Sequence, residues 1–83
     1  TPKIQLSDVN WLGDRKLSDG PVDVLVKVRS AMQPIPARVE ADALGDVIVQ
    51  FDEALHGVSP GQACVFYADD RVLGGGWIQR RVA

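Results

Sequence analysis

The amino-acid sequence predicts an all-β fold, a small closed or nearly closed barrel of six short antiparallel strands. Apolar side chains recur at every second position in several runs, the spacing that places them on one face of a strand. Turn-forming Gly, Pro and Asp residues separate these runs. No window of the 83 residues keeps a helical period, and closure of short strands into a barrel hides their unpaired edges.

The first three predicted strands lie in the first half of the chain. KIQLSDVNWL (residues 3–12) is a weak first strand, and VDVLVKVRS (22–30) is a regular second one. In the second strand the inward face consists of valines: Val22, Val24, Val26 and Val28. The residues that alternate with them are predicted to point outward: Asp23, Leu25, Lys27 and Arg29. The third strand, PARVEAD (36–42), places Ala37, Val39 and Ala41 inward and Arg38, Glu40 and Asp42 outward.

The second half supplies three more strands. DVIVQFDE (46–53) repeats the alternation with Val47, Val49 and Phe51, and QACVFYA (62–68) and RVLGGGWIQ (71–79) follow. We expect Val26, Val49 and Phe66 to be buried.

Turn chemistry separates the strands. LSDGP (17–21) and MQPIP (32–36) interrupt the first half, and ALHGVSPG (54–61) has room for a single helical or 3-10 turn. Gly45 offers a positive φ for one short hairpin, and Asp69 with Asp70 suits the turn of another.

Size and composition indicate one globular domain. A hydrophobic share of 46% and a charged share of 24% are ordinary for a soluble protein. No apolar run approaches the roughly 18–20 residues that span a bilayer, and the chain does not start like a signal peptide. The single cysteine cannot form an internal disulfide, so we expect a cytoplasmic protein with no membrane partner. The start at Thr1-Pro2, without Met, hints at a piece of a longer chain.

Charge is distributed unevenly along the sequence, although the net charge is only −2. Residues 1–38 carry six basic and four acidic groups, residues 39–70 carry seven acidic groups and no Lys or Arg, and residues 71–83 carry three arginines and no acid. The two basic ends can form one face if the fold brings them together. The alternative is that these are solvated charges on outward strand positions.

Two residues raise the question of thiol catalysis, Cys64 and His56. A reactive cysteine needs a nearby cation, a His partner or a helix N-terminus, and Cys64 lies between Ala63 and Val65 with no Lys or Arg within six residues. We therefore interpret Cys64 as a buried strand residue and His56 as an exposed loop residue. A pairing of the two in space stays open. With one His and one Cys, we predict no protein-bound metal and no cofactor in this domain.

The run Gly74-Gly75-Gly76 and the larger aromatics also have two interpretations each. A phosphate-binding loop needs Lys and Ser or Thr after its glycines, whereas Trp77 and Ile78 follow here. Glycines in a strand usually mark a bulge or bend, so we predict a structural bend, with a ligand's close approach as the alternative.

We expect the aromatic residues Trp11, Trp77 and Tyr67 to serve packing, although aromatics can stack on unpaired bases.

Residues 51–78, FDEALHGVSPGQACVFYADDRVLGGGWI, form a unit that resembles the C-terminal end of bacterial tRNA-specific 2-thiouridylases. The shared features are an acidic strand end, a proline turn, an aromatic strand, an acidic hairpin and a glycine strand: FDE, VSPGQ, VFY, DD and VLGGGWI. DVNWL (8–12) and VKVRSAMQPIPARV (26–39) also fit this family, so the resemblance covers nearly the whole chain. Older labels call the family a tRNA methyltransferase.

The resemblance implies a six-stranded barrel similar to domain 2 of elongation factors. It implies that the full enzyme activates the wobble uridine of certain tRNAs with ATP and Mg²⁺ and replaces its 2-oxygen with sulfur. A partner protein would donate that sulfur as a persulfide. The nucleotide loop and both catalytic cysteines would lie in an N-terminal catalytic domain, and Cys64 matches neither of those cysteines.

For this chain, the resemblance implies a non-catalytic accessory domain that helps to dock tRNA. We predict the RNA-binding residues to be basic side chains from both ends of the sequence: Lys27, Arg29, Arg38, Arg80 and Arg81. One alternative is a bracing or protein-interaction barrel that touches no RNA. Another is a stand-alone thiol enzyme that uses Cys64 and His56. A single cationic face would favour RNA binding, and scattered cations would favour bracing.

Overall fold

The structure, a computed structural model, describes residues 3–14, 16–28, 33–52 and 60–82. The described residues form six strands and one 3-10 turn, the latter at Leu17–Asp19. The strands are β1 Lys3–Trp11, β2 Val22–Lys27, β3 Ile35–Ala41, β4 Val47–Phe51, β5 Ala63–Ala68 and β6 Arg71–Arg81. All six predicted strands are present, and the last runs two residues further than its sequence pattern indicated.

The six strands close into one antiparallel barrel. Their order around the barrel is β1-β4-β3-β2-β5-β6, and β6 pairs back onto β1. This confirms the predicted fold class. None of the helical segments in the described part of the chain has the length and apolarity that a bilayer crossing requires.

The core is the inside of the barrel and comes from the alternating apolar positions. Val26, Val49 and Phe66 are fully buried, as predicted, and so are Val39 and Phe51. Some residues that were predicted to point inward, among them Val22 and Ala41, are only half-buried because they lie at the ends of their strands. The alternation of the valines in the sequence therefore identified the inner wall correctly.

Two predicted turns have the expected backbone. Gly45 has φ of +85° in the hairpin between β3 and β4, where the Asp42 Oδ1 accepts hydrogen bonds from the amides of Leu44 and Asp46, both at 2.9 Å. Asp69, between β5 and β6, has φ of +54°, in the left-handed region that Asp tolerates better than most residues.

The glycine run is a bend in β6, as predicted. Gly74 has φ of +133°, and a Cβ there would overlap the carbonyl oxygen of Asn10 on β1. The pairing register of β6 shifts next to this point on both neighbouring strands. As a result Leu73 and Ile78, five positions apart, are both buried, although strict alternation would put them on opposite faces.

Candidate nucleic-acid interface

A row of outward side chains crosses four strands near one end of the barrel. The register pairs Asp23 on β2 with Arg38 on β3, Arg38 with Gln50 on β4, and Gln50 with Lys3 on β1. Directly opposed side chains on one face of a sheet lie about 5 Å apart at Cβ. The row thus brings Arg38 and Lys3, 35 positions apart in sequence, onto one wall with only Gln50 between them.

Arg80 extends this row onto β6. It lies opposite Gln5, two residues along β1 from Lys3, and the Arg80 Nε donates a hydrogen bond of 2.9 Å to the Gln5 Oε1. Gln5 is only 8% exposed, so this bond anchors the Arg80 side chain at Nε, while Arg80 as a whole remains exposed. Arg81 is exposed as well, but it lies opposite the core residue Ile4, so it belongs to the inward-facing set at the end of the barrel and not to the outer row.

The basic row is therefore formed by Arg38 on β3, Lys3 on β1 and Arg80 on β6, and it runs around the outer surface of the barrel across β3, β4, β1 and β6. Three strand spacings separate β3 from β6, so the row extends about 14 Å along the curved sheet, half-way around the barrel. One ion pair lies at its margin, where the Arg38 Nε is 3.4 Å from the Asp23 Oδ1. Both side chains are largely exposed, so this pair contributes little to stability and leaves Arg38 accessible.

The wall that carries the basic row changes sign along β3. Glu40 follows Arg38 at the next outward position, and Asp42 and Asp46 lie at the hairpin beyond it. A polyanion would therefore be attracted at the Lys3 end of the wall and repelled at the hairpin end.

The predicted RNA-binding residues are only partly brought together. Arg38 and Arg80 lie at the two ends of the basic row, on strands that are half a turn apart around the barrel, and Arg81 lies opposite the core residue Ile4 at the end of the barrel. Lys27 points outward as predicted, but it is paired with Val65, four positions along β2 from Asp23, or about 13 Å. There it lines a depression with Asp69 and Asp70, so its surroundings are acidic. Arg29 lies outside the described residues.

Lys3 is the member of the row that sequence reasoning did not select. It was counted among the basic residues of the N-terminal part, but alternation in β1 is too irregular to assign its face. The signal that identifies it is its pairing with Gln50, which no single-strand pattern contains.

Cys64 has the properties of a core residue. Its side chain is fully buried, and burial raises the pKa of the thiol from 9.0 to about 12. The thiol therefore stays protonated near neutral pH and is not a nucleophile there. The expectation that Cys64 is buried is confirmed, whereas His56 lies outside the described residues.

The aromatic residues divide between the core and the surface. Trp11 packs against Phe66 at a centroid distance of 6.0 Å, which confirms a packing role for it, and Tyr67 is half-buried. The expectation of packing is wrong for Trp77, which is 51% exposed, because the bend at Gly74 turns Trp77 outward. Among the described residues, no three His, Cys, Asp or Glu side chains are grouped so as to hold a metal ion.

Comparison with known proteins gives matches along the whole barrel. Residues 1–78 match the family described as the aminomethyltransferase beta-barrel domain. The chain is 49% identical to the tRNA-specific 2-thiouridylase MnmA of Rhodospirillum centenum, over 98% of this chain and 20% of that protein. It is 53% identical to the MnmA of Maricaulis maris, over 90% of this chain and 19% of that protein.

A third relative, the MnmA of Rickettsia typhi, is 46% identical over 93% of this chain and 22% of its own length. The chain thus spans about a fifth of the length of the curated relatives it matches, and it corresponds to their C-terminal part.

Proposed function

Because the chain belongs to the aminomethyltransferase beta-barrel domain family and corresponds to the C-terminal barrel of tRNA-specific 2-thiouridylases, we propose that it is the accessory domain of such an enzyme and docks its tRNA. The observation that carries the proposal is the basic row, which the barrel assembles from both ends of a chain whose net charge is −2.

The domain would contribute no catalytic group of its own. The Cys64 thiol is buried inside the barrel with a pKa near 12, so it can neither attack a substrate nor carry sulfur at neutral pH. Catalysis would belong to the preceding part of the parent protein. That part would bind ATP and Mg²⁺, receive persulfide sulfur from a donor protein and transfer it to the wobble uridine.

The chemistry of the basic row suits a phosphate backbone. Arginine presents several N–H donors in a planar fork that matches phosphate oxygens, and lysine adds a point charge. The row is narrow and carries few cations, which suits positioning of a backbone segment better than sequence-specific recognition. The acidic hairpin beyond Glu40 would disfavour other placements of the RNA on this wall and so orient it.

The test is charge reversal in the full-length parent enzyme. In the row variant, Lys3→Glu is combined with Arg38→Glu. In the matched control, Lys16→Glu is combined with Arg71→Glu, two exposed residues outside the row. Both variants change the net charge by the same amount, so a general electrostatic effect of the protein on tRNA appears equally in both.

We expect the row variant to bind tRNA more weakly and to reduce the slope of log affinity against log salt by about 2, roughly one for each phosphate that is no longer neutralised. The control variant should bind like the wild type, and ATP binding should be unchanged in both. Equal reductions of affinity in the two variants, or unchanged tRNA affinity in a folded row variant, would leave the bracing module as the better account.

A further inference from the structure

A second surface feature lies on the side of the barrel opposite Arg38. β5 and β6 are three strands away from β4 and β3 in the six-strand ring, so their outer wall faces away from Arg38. This wall carries an open groove of about 350 Å³. We call it the glycine groove, because Gly75 forms its floor between Val65 on β5 and Asn10 on β1.

The groove exists because Gly75 has no side chain. Gly75 pairs with Val65, and a Cβ at this position would lie 2.5 Å from the Cys64 carbonyl oxygen. Any other residue would therefore have to displace the backbone of β5. Trp77 stands two positions further along β6, opposite Ala63, and forms one wall of the groove.

The lining of the groove is apolar and unusually exposed. Trp77 is 51% exposed, Leu12 53% and Val72 47%, and all three line the groove. They are three of the five large hydrophobic side chains that are exposed among the described residues. Clustered exposed hydrophobic residues mark contact surfaces, and tryptophan is especially enriched at the centre of protein interfaces.

The charge of the groove favours a protein partner over a nucleic acid. Among the described residues that line it, the charged one is Asp8, an acid, and there is no Lys or Arg. A phosphate backbone would find no counter-charge there.

The remainder of the parent protein is a protein partner that is always present. In the relatives the barrel is about a fifth of the chain, so about four fifths precede it. Covalent linkage raises the effective concentration of two such parts, to the order of 1 mM for a short flexible linker, so a small groove is sufficient for docking where a free partner would need a larger interface.

We propose that the glycine groove is the surface through which the barrel docks against the preceding part of its own parent chain, with Trp77 inserted as the anchor. Arg38 then faces away from that interface and stays accessible. The inference goes beyond tRNA docking and does not depend on it, because the contact forms within one protein in the absence of RNA.

Hydroxyl-radical footprinting of the full-length parent protein, without tRNA, tests this directly. The readout is the oxidation rate of Trp77 relative to Tyr67, a half-buried aromatic that does not line the groove. The groove variant is Ala63→Arg, which places a long charged side chain opposite Trp77. The matched control is Ala68→Arg, the same substitution at an exposed position on the same strand and outside the groove.

We expect Trp77 to be protected roughly tenfold in the wild type and in Ala68→Arg, and to become reactive in Ala63→Arg. Peptides that cover Val39 and Val49 should keep slow hydrogen exchange in all three proteins, which shows that the barrel remains folded. Because the contact lies within one chain, the protection of Trp77 should not change with protein concentration.

Four results would overturn the proposal. Protection that appears only at high protein concentration identifies a second copy as the occupant, and protection that appears only on adding tRNA identifies the nucleic acid. A Trp77 that is as reactive in the wild type as in Ala63→Arg means that the groove is empty. If Trp77 is equally reactive in Ala63→Arg and Ala68→Arg, the loss of its protection is not caused by the change in the groove. Of these four results, only tRNA-dependent protection also bears on the charge-reversal test of the basic row.

Discussion

Phe66 and Trp11 pack edge to face inside the barrel, with ring centroids 6.0 Å apart and planes inclined by 60°. Phe66 belongs to β5 and Trp11 to the end of β1, and Gly74 of β6 is the residue paired with both. The contact therefore fixes three strands at the point where the barrel closes. Aromatic pairs of this geometry add about 0.5–1.5 kcal/mol beyond the area they bury.

Phe66→Ala should destabilise the chain by about 3–5 kcal/mol, because it removes a fully buried ring and leaves a cavity. Urea unfolding followed by circular dichroism measures the change. Leu44→Ala is the control, since Leu44 is 87% exposed and its truncation should change stability by no more than about 0.5 kcal/mol. An unchanged unfolding midpoint for Phe66→Ala would mean that the face assignment of β5 is wrong.

Gly74→Ala should cost more than Gly45→Ala, although both glycines have positive φ. At Gly45 nothing lies within 4 Å of an added Cβ, so the cost is the backbone strain alone, about 1–2 kcal/mol. At Gly74 the added Cβ also meets the Asn10 carbonyl oxygen, which adds about 1–3 kcal/mol. Equal destabilisation by Gly74→Ala and Gly45→Ala in thermal or urea unfolding would show that the β1 backbone at Asn10 shifts at little energetic cost.

Cys64 should react very slowly with a soluble disulfide reagent in the folded protein. At pH 8 a thiol with a pKa near 12 is ionised about a thousandfold less than one with a pKa of 9.0, and it is also shielded from the reagent. The same protein in urea is the control and should react at the rate of an ordinary thiol. Rapid labelling without urea would show that the thiol is accessible and would reopen a chemical role for it.

The same burial makes stability depend on pH through Cys64. The folded state keeps the thiol proton up to a pKa of about 12, whereas the unfolded chain releases it near 9.0. The unfolded state thus binds fewer protons between these values, so this contribution to stability is complete below pH 9 and is lost as pH rises towards 12. Between pH 8 and 10 the loss is about 1 kcal/mol.

Cys64→Ala lacks this contribution, so its stability deficit relative to the wild type should shrink by about 1 kcal/mol between pH 8 and 10. Taking the difference between the two proteins cancels the titration of tyrosine and lysine side chains that both share. A deficit that stays constant over this range would contradict the burial of the thiol.

The sequence contained enough information for the strands and the core but not for the row. Alternation assigned Val26 and Val49 to the inside correctly, because burial of one face leaves a period of two in the sequence. Pairing of Lys3 with Gln50 depends on register between strands distant in sequence, which no local pattern reports. The outward position of Trp77 depends on one bulge at Gly74, which reverses the alternation after it.

Asp23 lies at the margin of the basic row. Removing its charge should change tRNA affinity in the direction opposite to the charge reversals within the row. Its carboxylate is 3.4 Å from the Arg38 Nε and 91% exposed, so it both occupies Arg38 and repels a phosphate that approaches it. Asp23→Asn in the full-length enzyme should therefore strengthen tRNA binding. The gain should be about two- to fivefold at low salt, since an exposed ion pair is worth up to about 1 kcal/mol.

The matched control for Asp23→Asn is Asp14→Asn. Asp14 forms a similar exposed pair with Arg71, at 3.6 Å, and its replacement changes the net charge by the same amount away from the row. We expect no gain in tRNA affinity from Asp14→Asn, and we expect the gain from Asp23→Asn to fade as salt screens the row. An equal gain from both variants would show that net charge alone sets the affinity, and weaker binding by Asp23→Asn would mean that this carboxylate positions Arg38 for the phosphate instead of competing with it.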